Sequence, residues 1–256
     1  MCLIFFSIDN HPVYKLILAA NRDEFYGRKT AAANYWTDHP EILGGRDLEA
    51  GGTWLAMNRN GRISFITNYR DPHHNNPNAP TRGNLVSDFV IGDRGSYDYL
   101  RGIEDYAKTY NGFNLVVGDG KDFAYLSNYG SGTEKLKPGF YGLSNHLLDT
   151  PWPKVVEGKE RLGPVLAQRK IDPEEIFNIL HSNIPAKDAE LPDTGVGLEL
   201  ERALSAMFIK TPNYGSRSST VVLVDHEGEV IFSERVYEPG TNNFTTQTFR
   251  LRLSSH

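Results

Sequence analysis

The sequence predicts an α+β protein in which antiparallel sheets are covered by helices. Three observations predict it. Apolar runs come in pairs joined by turn-forming residues, as in β-hairpins. Segments with helical periodicity and capping residues lie between those pairs. No internal repeat and no Pro-, Gly- or Ser-rich linker divides the chain, so residues 1–256 are expected to form one domain.

Four hairpins carry the β prediction. Leu3 to Ile8 and Tyr14 to Ala20 are apolar runs separated by Asp9-Asn10-His11-Pro12, with little provision for solvent on either face. Thr53 to Met57 and Arg62 to Thr67 flank Asn60-Gly61, a pair that tolerates positive φ and so favours a tight turn. Phe113 to Val117 pairs with Phe123 to Leu126 across Gly118–Asp122, and Thr220 to Val224 pairs with Glu229 to Ser233 across Asp225–Gly228. The Gly44-Gly45 and Gly51-Gly52 pairs lack the Gly-Lys-Ser/Thr of a phosphate loop and read instead as close backbone approaches.

Helices are expected in the gaps. Leu85, Phe89 and Val90 share a face after Thr81, and Tyr99, Ile103, Tyr106 and Ala107 share another, with Ser96 as cap. Thr150-Pro151 and Asp172-Pro173-Glu174-Glu175 have a capping side chain followed by Pro at the first helical position. A last helix is expected from Leu198 to Met207.

Composition narrows the function classes. With 256 residues, 39% of them hydrophobic, and 13 Phe and 13 Tyr, the chain can bury a sizeable core. A net charge of −5 argues against a duplex nucleic-acid binder, which needs a basic face for phosphates. No apolar stretch approaches the roughly 20 residues of a transmembrane helix. The residues from Met1 to Asp9 lack a basic region and a small-residue cleavage site, so they read as a strand rather than a signal peptide. A single cysteine cannot close an internal disulfide, which favours a reducing compartment and a cytoplasmic location.

That cysteine is also where chemistry can start. If Met1 is removed, Cys2 presents an α-amine and a thiol on one residue. The amine has a reference pKa of about 7.7–8.0, so near neutrality part of it is a base able to take the thiol proton. Alternatively, Cys2 is a small apolar residue in a buried strand. The polar tetrad Asn21-Arg22-Asp23-Glu24 follows the second apolar run, and the hairpin returns it close to Cys2. An arginine there favours the thiolate, and a carboxylate can hold the terminal ammonium or orient a substrate amine. Asn68 and Asn145 each follow a short apolar or small-residue run, where a side-chain amide can serve as an oxyanion donor. Arg217 opens a strand and can bind an anion; His73-His74 has loop composition and no spacing for a zinc site.

Together, Cys2, the tetrad, Gly51-Gly52-Thr53-Trp54 and Gly142-Leu143-Ser144-Asn145 resemble the NRDE family, also called transport and Golgi organisation protein 2. The resemblance runs from Cys2 to the strand after Arg217. The pattern is more distantly similar to N-terminal-nucleophile hydrolases of the penicillin V acylase and bile-salt hydrolase type, which implies a four-layer αββα sandwich. It also implies roles: Cys2 as nucleophile, Arg22 and Asp23 as the active-site pair, Asn68 and Asn145 as oxyanion donors, and Arg217 as a second arginine near the nucleophile. Asn21 and Glu24 are then candidates for substrate binding. The Arg-x-x-Asp spacing of those enzymes leaves the choice between Asp23 and Glu24 open. Two functions follow from the resemblance, an amidase acting on non-peptide C–N bonds or a non-catalytic carrier of haem or lipid linked to secretory and Golgi organisation. Neither a cofactor nor a metal is required, haem enters only as a bound ligand, and the expected partner is a small or hydrophobic molecule, protein partners being undefined.

Overall fold

The computed structural model describes residues 2–254. From the N-terminus the chain runs through β1 (Cys2–Ile8), β2 (Tyr14–Phe25), β3 (Thr30–Tyr35), β4 (Ile42–Asp47), β5 (Leu55–Asn58) and β6 (Ile63–Asn68). Helices α1 (Gly83–Ile91) and α2 (Ser96–Glu104) precede β7 (Phe113–Gly118), β8 (Phe123–Ser127), β9 (Glu134–Leu136) and β10 (Gly139–Leu143). Then come α3 (Pro153–Leu166), α4 (Pro173–Leu180) and α5 (Leu198–Leu204), and finally β11 (Tyr214–Asp225), β12 (Glu229–Tyr237) and β13 (Phe244–Arg252). The chain divides into two compact units: one holds residues up to 28, 138–144 and 148–250, the other 29–137, 145–147 and the residues from 251 on.

The first unit is built on a six-stranded sheet in the order β10-β1-β2-β11-β12-β13. Leu3, Phe5, Ile17, Ala19, Val221 and Leu223 form one face, where they pack with Val155 and Leu162 of α3 and Ile176, Phe177 and Leu180 of α4. Each such side chain taken from water contributes about 1.5–3 kcal/mol. The alternate residues Ile4, Phe6, Leu18 and Val222 are buried as well. That explains why these runs are continuously apolar rather than alternating.

The second unit carries a seven-stranded sheet, β3-β4-β5-β6-β7-β8-β9. Leu85, Val86, Phe89 and Val90 of α1, with Leu100 and Ile103 of α2, pack on Ile42, Ala56, Phe113, Leu115 and Val117. Gly52 is a close backbone approach, as its sequence context predicts: a Cβ there would lie 2.4 Å from the Gly83 carbonyl carbon.

All four predicted hairpins form, but several boundaries differ for physical reasons. The helix expected after Thr150-Pro151 starts at Pro153, with Trp152 extended at φ −66° and ψ 147° because it precedes proline. Ser96 is the first residue of α2 rather than its cap, and its backbone N–H donates instead to Asp119 Oδ2 at 2.8 Å, a charged and stronger acceptor. Asp172 does cap α4, accepting from Glu174 N at 3.0 Å. Helix α5 stops at Leu204, and Ala206 to Ile209 are buried without being helical. Among the described residues no helix is long and apolar enough to cross a membrane.

Candidate functional site

Strand β2 continues past the apolar run ending at Ala20 and takes in the whole polar tetrad. Asn21 stands opposite Leu3 and Ser219, Arg22 opposite Cys2 and Ser218, and Asp23 opposite Ser216. Asn21 and Arg22 therefore lie inside the sheet between β1 and β11, while Asp23 and Glu24 continue β2 along β11, opposite Ser216 and Gly215. Polar residues tolerate that position only when their side chains are satisfied.

Asn21 is fully buried, and its amide is spent on structure. Nδ2 donates to the carbonyls of Leu180 and Met207 at 2.9 and 2.8 Å, while Oδ1 accepts from Ser219 Oγ at 2.5 Å. Asn21, expected at the substrate, here fastens β2 to the end of α4 and to the segment after α5. Glu24 keeps 25% of its side chain exposed, lies 3.7 Å from Arg22 Nη2, and accepts from the Phe25 N–H at 2.9 Å.

Asp23 is the buried carboxyl, 1% exposed, and accepts from Ser216 Oγ at 2.5 Å. Of the two carboxyls, Asp23 is therefore the buried one and Glu24 the partly exposed one. Burial raises the Asp23 pKa, against the opposing pull of the Lys154 ammonium, the Ser216 hydrogen bond and Arg22. Cys2 is buried too. Burial pushes its thiol upward and the Asp23 charge adds to this, while the Arg22 guanidinium and the Asp23 backbone N–H pull the other way. The net rise leaves a protonated thiol at neutral pH, so a nucleophilic Cys2 needs a base.

Lys154 and Ser216 are members of this cluster that sequence reasoning missed. Lys154 is 2% exposed, on a helix whose buried stripe runs Lys154, Val155, Gly158, Leu162 and Val165. A lysine on the apolar stripe of an amphipathic helix was the available signal. Arg217 sits in the register shift between Ser216 and Ser218, and its Nη1 donates to the carbonyls of Phe25, at 3.2 Å, and Arg28. Burial lowers its pKa, and the nearby Arg22 charge does so further. It thus stands near the nucleophile's arginine while holding the exit of β2.

In the second unit, Asn145 is fully buried and its Nδ2 donates to Asn68 O at 3.0 Å. The Arg70 N–H returns a bond to Asn145 O at 2.8 Å. Asn114 Nδ2 donates to Thr67 Oγ1 and to His146 O, both at 3.0 Å, with Tyr125 Oη donating to Asn114 Oδ1 at 2.8 Å. The two predicted oxyanion donors are thereby neighbours in one amide network. His73 and His74 lie on an exposed 3₁₀ turn, and Asp71 Oδ2 meets both His74 Nδ1 and Tyr129 Oη at 2.7 Å. Among the described residues no three His, Cys, Asp or Glu side chains gather as metal ligands do.

The family model described as Transport and Golgi organisation 2 matches residues 1–239. The chain belongs to that family. Within the Transport and Golgi organisation 2 family it is 40% identical to the Transport and Golgi organization protein 2 homolog of Bos taurus, over 98% of this chain and 100% of the relative. It is 37% identical to the Homo sapiens homolog over the full length of both, and 33% identical to the Drosophila melanogaster protein over 91% of each. Among solved structures it is similar to the mutant C2A conjugated bile acid hydrolase from Clostridium perfringens, with TM-score 0.51, 8% identity, and coverage of 99% of this chain and 97% of the other. It is also similar to a Caenorhabditis elegans N-acylethanolamine-hydrolyzing acid amidase ortholog, with TM-score 0.50, 12% identity, and coverage of 87% and 92%. These likenesses show the fold class of this family member, the αββα sandwich of N-terminal-nucleophile hydrolases.

Proposed function

We propose that the protein is a thiol amidohydrolase that cleaves a non-peptide C–N bond of an acyl amide, once processing leaves Cys2 as the first residue. The observation that carries this reading is the burial of Cys2, Arg22, Asp23, Ser216 and Lys154 together, with Ser216 bonded to Asp23 and the Lys154 and Arg22 charges acting on it. Burying charges costs several kcal/mol per ion even after relaxation, and such clusters concentrate where chemistry uses them. The two solved relatives are named for a conjugated bile acid and for N-acylethanolamine, and the first was solved as a C2A mutant, a change at the ordinal position of Cys2. Both names support an acyl–amine linkage as the substrate class.

In this reading the free α-amine of Cys2 takes the thiol proton, and Sγ attacks the acyl carbon. Asn68 and Asn145 take the oxyanion role on the strength of the sequence resemblance. The resulting ammonium gives its proton to the leaving amine as the C–N bond breaks, producing a thioester. The same amine then accepts a proton from the water that attacks the thioester, releasing the acid and restoring the thiol. Asp23 holds the ammonium, and Arg22 offsets the negative charge beside it.

The test uses coumarin-amide probes of several acyl chains together with intact-mass measurement. Protein whose mass shows Cys2 first should release coumarin, and Cys2→Ala should lose turnover while keeping its far-UV circular dichroism. Equal turnover by Cys2→Ala, or none by correctly processed protein, would sink the proposal.

A further inference from the structure

On the face of the first sheet that carries Asn21 and Ser219 there is a cavity of about 310 Å³ that the hydrolase reading does not use. Its walls are aromatic. Phe208 and Tyr237 meet edge to face at 4.7 Å between centroids, and His181 lies 4.2 Å from Phe208 and 5.2 Å from Tyr237. Tyr26 closes another side. Its hydroxyl fits only because residue 215 is glycine, since a Cβ there would lie 2.3 Å from Tyr26 Oη. Ser216, the residue bonded to Asp23, also lines the cavity.

The charges at the mouth are unequal. Lys210 Nζ stands 5.6 Å from the Phe208 ring centre and 3.5 Å from the neutral Asn242 Oδ1. Among the described residues no carboxylate pairs with it. Glu238, the acid lining the cavity, is turned into its own loop, where Oε2 accepts from Asn243 Nδ2 at 2.9 Å and Thr241 Oγ1 at 3.2 Å. Arg235 is paired with Glu174 and stacked against Phe177 and Phe244. Lys210 and Arg235 both disfavour the charged form of His181, after burial, which keeps that ring neutral and available for stacking.

We propose that this cavity binds a small aromatic or heteroaromatic monocarboxylate, its ring against Phe208, Tyr237 and His181 and its carboxylate at Lys210. The size is at the low end of small-molecule sites, about 300–1,000 Å³, which suits one ring or a fused pair rather than a long acyl chain or a tetrapyrrole. A single available ammonium matches a single negative charge. Because Ser216 serves both the cavity and Asp23, occupancy is felt at Cys2. The ligand's negative charge, held at Lys210, acts on the thiol in the same direction as the Asp23 charge and lowers its thiolate fraction. The proposal is independent of whether Cys2 turns over a substrate.

Calorimetric titration of the full chain with indole-3-acetate, benzoate and neutral indole-3-acetamide tests it. Indole-3-acetate should bind saturably at one site, with the amide weaker by at least about tenfold, the scale of one charge-assisted hydrogen bond. Lys210→Gln, at an exposed position, should erase the difference between acid and amide. Saturation by neither carboxylate, equal binding of acid and amide, or unchanged affinity in Lys210→Gln overturns the site. Iodoacetamide reads Cys2 alone because it is the only cysteine. Saturating indole-3-acetate should slow its alkylation about twofold or more, as a partial loss of thiolate does; an unchanged rate overturns the link through Ser216.

Discussion

Around Cys2, in the first unit, the buried polar groups carry charge: Arg22, Asp23 and Lys154 are each under 10% exposed and sit with a serine and a thiol. Around Asn145, in the second unit, the fully buried side chains are neutral, the Asn114 and Asn145 amides and the Thr67 hydroxyl, bonded to backbone carbonyls and to one another. Neutral amides satisfied by backbone hold a shape and cost little to bury. Charges in a low-dielectric sheet are expensive, and they move one another's proton equilibria. The difference divides the labour expected of the two clusters. Titration belongs to the first and geometry to the second.

Asp23→Asn should break that division most visibly. Acyl-amide hydrolysis should fall by about 10²–10⁴-fold, the usual range for losing a group that assists proton transfer. Alkylation of Cys2 should nevertheless become faster at pH 8, because the neighbouring charge that raises the thiol's pKa is gone. A pH–rate profile of alkylation with an unmoved midpoint would show that Asp23 is not felt at the thiol. Asn145→Ala should lower kcat by about 10²–10³-fold, as loss of an oxyanion donor does. Here the alkylation profile should stay where it is; a shift would mean that the second cluster titrates after all.

Asn21→Leu separates structure from substrate binding inside the tetrad. It takes the side-chain donor from the Leu180 and Met207 carbonyls, while Ser219 Oγ keeps the Tyr237 hydroxyl at 2.9 Å. At about 1–3 kcal/mol for each unsatisfied buried group, the loss should be at least about 2 kcal/mol, read from urea denaturation. The folded fraction should keep its KM, whereas a raised KM would return Asn21 to the substrate. The smallest effect is expected far from charge burial. Asp71 is held down to about 2, chiefly by the Tyr129 hydroxyl, with His74 assisting. Tyr129→Phe should lift it toward the reference of about 3.9, visible as a shifted carboxyl titration by NMR. A depressed carboxylate contributes above its unfolded pKa and loses that contribution as pH falls through the folded one. The variant should therefore begin to lose it at higher pH than the parent.

Much of this architecture was legible in the chain. Paired apolar runs flanking Asn60-Gly61 or Asp225–Gly228 announce hairpins because local turn chemistry and burial agree there. The strands without an apolar signature were not legible. Thr30–Tyr35 is a half-exposed edge strand paired irregularly with Ile42–Asp47, Gly139–Leu143 is held by the distant β1, and Phe244–Arg252 is an exposed edge strand that alternates weakly. The same holds within the site. Cys2, Arg22 and Asp23 could be found because a hairpin brings residues 2 and 22 together by local folding. Ser216 and Lys154 reach Asp23 through strand order and helix packing, which no spacing in the sequence encodes. Four consecutive polar residues usually leave a core, and the tetrad stays in a strand because β11 pairs along its far side.

The whole of β1, from Cys2 to Ile8, is buried. A thiol at the head of such a strand reacts, under the hydrolase reading, only when its own nitrogen is free. A message read from a start codon even slightly upstream, or a gene fused to an amino-terminal tag, encodes every catalytic side chain and yet delivers Cys2 with its nitrogen tied up in an amide. Under the hydrolase reading, initiation and methionine removal then decide whether a polypeptide of unchanged composition at every site residue emerges as a catalyst or as an inert copy.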